Sequence, residues 1–174
     1  RPSSLSLKLA AIEGITDAGV DVIDLGMVGT EEVYFATSHY NAIGGIEVTA
    51  SHNPINYNGL KMVRENSRPI SADTGLAEVR ALAESGDFIK SKKGNITQNT
   101  DKTAYIDKLM SFIDTSKFLP KKIVINSGNG SAGPVIDTLE VRLAGSPIEL
   151  LKIHHQPDGN FPNGIPNPMI IANQ

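Results

Sequence analysis

Apolar and polar positions along the chain fall into short runs of two different periods. Leu5, Leu9 and Ile12 recur at helical spacing behind Ser3 and Ser4, either of which suits an N-cap, and predict a helix ending near Gly19. A strand follows over residues 20–25. Gly26 and Gly29 break it, and Thr30 caps a second helix whose first turn carries Glu31 and Glu32, well placed for the helix dipole. Ile46, Val48 and Ala50 then alternate, the period of a pleated segment with one buried face. That run stops at Ser51, and Asn53-Pro54 cannot stay in a ladder because Pro fixes φ and has no donor. Asn58-Gly59 signals a turn, and the chain resumes as strand over residues 60–63.

Further on, residues 64–69 read as a polar loop, 73–84 as a helix, and 85–100 as a Lys-, Ser- and Asn-rich surface connection. Thr100 or Asp101 starts a helix with Tyr105, Leu109 and Phe112 on one face, and Phe118-Leu119-Pro120-Lys121-Lys122 marks a boundary. The pattern then restarts. Ile123-Val124-Ile125 is a strand of the fully buried type, residues 128–133 a glycine loop, 134–143 a helix with Pro in its first turn, and 148–153 a strand. Strand, helix, strand in this order implies a βαβ unit with a parallel pair. The expectation is an α/β chain in two parts, residues 1–118 and 119–174.

Composition narrows the classes. The 174 residues can bury a real core, and a net charge of −3 with interspersed acids and bases points away from nucleic acid and from anionic membrane surfaces. The absence of cysteine excludes disulfides and thiolate metal sites and is compatible with a reducing cytoplasm. No apolar run approaches the length of a bilayer span, and no signal-peptide pattern opens the chain.

The chemistry concentrates at Ser51. It is left at the carboxyl end of a strand, the edge where open α/β sheets keep their ligands, and a return strand brings Lys61 toward it. A hydrolase reading is weak, because the nucleophile elbow Gly-x-Ser-x-Gly has Thr49 and Asn53 in place of its glycines. If extended geometry persists, His52 also points away from Ser51. A phosphoryl carrier fits better, since that reaction needs positioned donors, a metal and a cation and little covalent work from the protein. His52 and Asn53 are then donors beside a dianionic phosphate, with Arg64 and, with less claim, Arg68 as further anion partners. The bland alternative is an ordinary Ser-His-Asn-Pro surface turn.

Two other patterns compete. Gly128-Asn129-Gly130-Ser131-Ala132-Gly133 matches Gly-x-Gly-x-x-Gly between a strand and a helix, as a dinucleotide site requires. The acid expected at the end of the next strand is missing, for that strand ends at Ile153-His154, and a tight strand-to-helix turn is the preferred reading. His154, His155 and Asp158 lack the spacing of a metal site and read as a solvated loop.

The stretch Thr49-Ala50-Ser51-His52-Asn53-Pro54 with Tyr57-Asn58-Gly59-Leu60-Lys61 resembles the phosphoserine loop of the α-D-phosphohexomutase family, the phosphomannomutases and phosphoglucomutases. Residues 29–37, 64–74, Asn126-Ser127-Gly128-Asn129-Gly130 and Pro157-Asp158-Gly159-Asn160-Phe161-Pro162-Asn163-Gly164 extend the likeness over essentially the whole chain. The resemblance implies two incomplete three-layer αβα domains with mixed sheets, the first carrying the phosphoserine loop. It implies that Ser51 exchanges a phosphoryl group with mannose 6-phosphate or mannose 1-phosphate through a hexose 1,6-bisphosphate, in the cytoplasm, feeding GDP-mannose synthesis. It also implies that Lys61 contacts the phosphate or moves the hydroxyl proton, and that Mg²⁺ bridges a phosphoserine oxygen at Ser51.

The family's Asp-x-Asp-x-Asp metal run, Gly-Glu-x-Ser-Gly-His sugar loop and C-terminal Arg-x-Ser-x-Thr-Glu-Pro phosphate loop do not occur here. The expectation is therefore an N-terminal fragment, inactive alone, with sheet edges left open to self-association or to another chain. Phosphoglucomutase and phosphoglucosamine mutase are the alternatives within the family. A dinucleotide-binding domain and a non-catalytic phosphate-binding module are the alternatives outside it.

Overall fold

Helix α1 (Ser4–Asp17) leads into strand β1 (Val22–Asp24), helix α2 (Thr30–His39) and strand β2 (Gly44–Val48). Strands β3 (Leu60–Arg64) and β4 (Arg68–Pro69), helix α3 (Ala77–Ser85) and strand β5 (Ile96–Gln98) come next. The remainder is helix α4 (Thr103–Met110), strand β6 (Lys121–Asn126), helix α5 (Gly133–Arg142) and strand β7 (Ile148–Ile153). This computed structural model describes residues 1–165, 167, 169 and 171. It is an α/β chain, as the alternating elements require. Its contacts divide it into two compact units. Unit 1 is Arg1–Gly26, Thr30–Ala50 and Asn56–Thr100; unit 2 is Met27–Gly29, Ser51–Ile55 and Asp101–Gln174. This division departs from the sequence boundary near Phe118: Met27–Gly29 and Ser51–Ile55 group with unit 2, and so does α4, which packs against α5.

In unit 1, β1 and β5 pair in parallel, and β2, β3 and β4 form an antiparallel sheet with Gly45 opposite Val63 and Glu47 opposite Lys61. The register decides which face α2 covers. A Cβ on Gly45 would lie 2.3 Å from Thr37 Oγ1, 2.9 Å from Val33 Cγ1 and 3.2 Å from Val63 Cγ2. Thus α2 lies on the face of Gly45, Glu47, Lys61 and Val63, and only a residue without a side chain lets it come so close. The alternation Ile46–Val48–Ala50 therefore marks the other face. Ile46 there remains 38 % exposed, so the buried face inferred from that alternation is corrected.

The core of unit 1 is built from Ile12 and Thr16 of α1, Val33, Ala36 and Thr37 of α2, and Val63 of β3. Both buried threonines satisfy their hydroxyls on their own helices, Thr16 on Ile12 O at 2.9 Å and Thr37 on Val33 O at 2.8 Å. Leu5 and Leu9 do not join this core and stay exposed, so only the C-terminal half of the predicted stripe is used. Helix α3 starts later than its pattern predicts, because Thr74 and Gly75 leave helical geometry, Gly75 at φ 127°. Arg68-Pro69, read from sequence as loop, forms a two-residue edge strand on β3, where proline's missing N–H costs nothing. β5 is hidden in the polar connection, and it has three exposed residues.

In unit 2 the βαβ expectation holds for the pairing: β6 and β7 run in parallel from Lys121↔Ile148 to Asn126↔Ile153, connected through α5, but β6 is not of the fully buried type, since Ile123 and Val124 are exposed. Ile106 of α4 is fully buried and Leu143 nearly so. Tyr105 and Leu109 are half-buried, but Phe112 lies beyond the end of α4, exposed, with Lys108 Nζ 4.6 Å from its ring centroid. The face of α4 is thus centred on Ile106 instead.

Candidate active site

The loop of residues 49–59 leaves β2 and returns as β3, closed at its neck by Thr49 N–H donating to Gly59 O at 2.9 Å. Asn58 anchors the return. Its side-chain amide donates to Ser3 Oγ at 3.1 Å and Ser4 Oγ at 3.0 Å, and its Oδ1 accepts from Gly59 N–H at 2.9 Å. Arg1 Nη1 donates to Tyr57 O at 3.2 Å. The start of α1 therefore fixes the side of the loop that precedes Lys61.

Ser51 sits at φ 50°, in the left-handed region, with its side chain exposed. A non-glycine residue there is sparsely populated and costs about 1–3 kcal/mol unless its surroundings hold it. The turn ends the extended geometry before His52, and the predicted divergence of the two side chains is corrected: Ser51 Oγ lies 3.4 Å from His52 Nδ1. That distance is long for a hydrogen bond and does not make His52 an effective base. Asn53 is exposed on the same loop. Ser51, His52 and Asn53 group with unit 2, and Lys61 and Arg64 with unit 1.

Lys61 Nζ donates to Thr30 Oγ1 at 2.9 Å, and Thr30 Oγ1 donates in turn to Glu47 Oε2. Sequence reading misses both partners. Thr30 shows there only as a helix cap, although a carboxylate between Ile46 and Val48 is a visible oddity. Arg64 is three positions from Lys61 on β3 and so projects from the opposite face. Its guanidinium meets Glu65, Nε to Oε2 at 3.2 Å, and Arg68 pairs with the same carboxylate. Lys61 and Arg64 therefore do not converge.

The glycine loop of unit 2 is consumed by its own turn. Gly128 N–H donates to Asn126 Oδ1 at 2.9 Å, Asn129 N–H to His154 O at 2.8 Å, and Gly130 N–H to Ser127 O at 2.9 Å. Three donors that a pyrophosphate would need are thereby spent. A Cβ on Gly133 would stand 2.3 Å from His155 O, so this glycine serves packing of the helix start against the chain after β7.

The solvated-loop reading of His155 is corrected as well. Its side chain is only 12 % exposed, with Nε2 2.9 Å from Asp137 Oδ1 and Nδ1 3.4 Å from Ser127 Oγ. His154 is exposed and turned away at φ 46°. Lys152 Nζ completes the cluster, 2.8 Å from Asp137 Oδ1 and 2.7 Å from Glu140 Oε2. The Lys152 hydrogen bond holds the Asp137 carboxyl below its usual range, with His155 adding to the effect. Asp137 and then Glu140 raise the Lys152 ammonium above its own. Among the described residues no three His, Asp or Glu side chains come together to hold a metal ion. No described helix is long and apolar enough to cross a membrane.

A phosphoglucomutase/phosphomannomutase α/β/α domain I matches residues 1–90, and domain II of the same proteins matches residues 103–173. The chain belongs to the phosphoglucomutase/phosphomannomutase family. A phosphomannomutase of Escherichia coli K12 is 57 % identical over 98 % of the chain, and one of Vibrio cholerae 55 % identical over 98 %. A family member of known structure from Burkholderia thailandensis superposes with a TM-score of 0.81 at 33 % identity, covering 97 % of this chain and 37 % of its own. The chain spans 38 % of the length of the E. coli relative and 37 % of the Vibrio one. Membership accounts for both halves of the sequence, including the glycine loop, so the dinucleotide alternative is not favoured.

Proposed function

We propose that these residues are the phosphoryl-carrying part of a phosphomannomutase that interconverts mannose 6-phosphate and mannose 1-phosphate, with Ser51 as the carrier. The observation that bears most weight is the left-handed turn at Ser51, an exposed hydroxyl presented from a loop whose neck is pinned. The names of the E. coli and Vibrio relatives, at more than half identity, support mannose as the sugar.

In the forward step the Ser51 Oγ–P bond breaks, a new O–P bond forms to the free sugar hydroxyl, and the proton that hydroxyl loses ends on Ser51 Oγ. In the return step the other sugar O–P bond of the hexose 1,6-bisphosphate breaks, its phosphoryl group passes to Ser51 Oγ, and the Ser51 proton ends on the sugar oxygen left behind. Donor and product are both phosphate monoesters, so transfer is close to reversible. His52 and Asn53 supply donors beside the phosphoryl oxygens, and Lys61 supplies a cation or a proton carrier. Arg64 is the weaker phosphate ligand in this reading, because Glu65 already engages it. Mg²⁺ would offset the charge on the transferring group. The described residues do not form a site for it beyond an oxygen of phosphorylated Ser51, so no step here is assigned to the metal. The reading places the reaction in the cytoplasm and its product at the entry to GDP-mannose synthesis.

The test is a chimera in which this chain replaces the matching segment of the E. coli K12 relative. Mass spectrometry of the purified, active protein should find one phosphate, on Ser51. An active chimera whose Ser51 stays unmodified before and after exposure to a hexose bisphosphate would overturn the reading.

A further inference from the structure

Lys61, Thr30 and Glu47 form a chain of hydrogen bonds in which each atom's capacity is used in one direction. The ammonium can only donate, and it donates to Thr30 Oγ1 at 2.9 Å. The hydroxyl has a single proton, which goes to Glu47 Oε2. The carboxylate only accepts. Positive charge on Lys61 is thus matched, through one hydroxyl, by negative charge on Glu47. The two residues also stand directly opposite each other across β2 and β3.

The docking of α2 sets this chain in place. Thr30, Val33 and Thr37 lie along one side of that helix, and Gly45 admits the Val33–Thr37 end against the sheet. The same approach brings Thr30, at the helix start, to Glu47 and Lys61. Lys61 is exposed, whereas Thr30 and Glu47 are half-buried, so a flexible cation is tethered to a fixed pair.

We propose that Glu47, acting through the Thr30 hydroxyl, is a positioning residue that holds the Lys61 ammonium in one place. The proposal rests on the role given to Lys61 above, but its test does not. The 174-residue chain is acetylated under limiting anhydride, and the rate at each lysine is read by mass spectrometry. Thr30→Val keeps the shape and removes the hydroxyl, Glu47→Gln keeps the shape and removes the charge, and Thr30→Ser restores the hydroxyl.

Thr30→Val and Glu47→Gln should each speed acetylation of Lys61 by about threefold or more, since a charge-assisted bond no longer withholds the amine. Lys8, paired with Asp24 at 2.7 Å, should keep its rate, and Thr30→Ser should behave as the parent. Unchanged Lys61 rates in both folded variants would overturn the proposal. So would unfolding of both, seen by circular dichroism, because the cluster would then serve folding and not the lysine. A Ser51 that carries no phosphate would remove the mutase reading and leave these rates as they are.

Discussion

At Ser51, chemistry and conformation coincide at one residue: the hydroxyl that the sequence singles out is also one that stands in the left-handed region. The Ser51 loop and Lys61 were legible because both lie in one short stretch whose residue types are specific. Thr30 and Glu47 were not, since 31 residues separate Thr30 from Lys61 and 17 separate it from Glu47. Only the docking of a helix joins them. His155 is misread from sequence for a similar reason, because its partner Asp137 arrives on α5.

The Asp137–Lys152 pair gives a pH prediction at this scale. Asp137 is lowered from 3.8 chiefly by Lys152, so its contribution to stability is complete above that value and is lost as pH falls through the lower folded-state value. Lys152 is raised from 10.5 chiefly by Asp137, so its contribution is complete below that value and is lost as pH rises through the higher folded-state one. Thermal melting followed by circular dichroism should therefore fall at both extremes, below pH 3.8 and above pH 10.5. Asp137→Asn should flatten both limbs, and an unchanged profile would show that the pair contributes nothing.

Among the elements, α2 and α4 carry the sharpest consequences. Gly45→Ala would drive a methyl into Thr37, Val33 and Val63 and lift α2 from the sheet, at a cost of about 1–3 kcal/mol. Because Thr30 rides on the same helix, the variant should also release Lys61 and quicken its acetylation, which ties packing to the proposed relay. Ile106→Ala should cost about 2–5 kcal/mol in chemical denaturation, as the side chain is fully buried in the α4–α5 part of unit 2.

The sequence predicted β6, α5 and β7 with their parallel pairing because an apolar strand, a proline-led helix and a second apolar strand leave little choice. It says nothing of the reach of α2 over the sheet. Glycine at position 45 has no period to read, and the neighbouring alternation advertised the wrong face. β5 failed for want of any apolar signal, its ladder being supplied by β1.

For the whole molecule, the two matched domains account for the chain from residue 1 to 173, save for positions 91–102. The E. coli relative extends to well over twice this length, and the described residues hold the proposed carrier serine without a cluster of metal ligands. The 174-residue chain alone is accordingly expected to show no mutase turnover in a coupled assay with mannose 1-phosphate and a hexose bisphosphate. Addition of NAD should leave its melting temperature unmoved, because the loop amides at Gly128, Asn129 and Gly130 are already bonded.

The central claim is that Ser51 carries the phosphoryl group, and turnover of the chimera with the E. coli relative measures it most directly. Ser51→Ala in that chimera should lower kcat at least about 10³-fold with no loss of melting temperature, as removal of a covalent carrier does. Turnover within about twofold of the parent chimera would contradict the account.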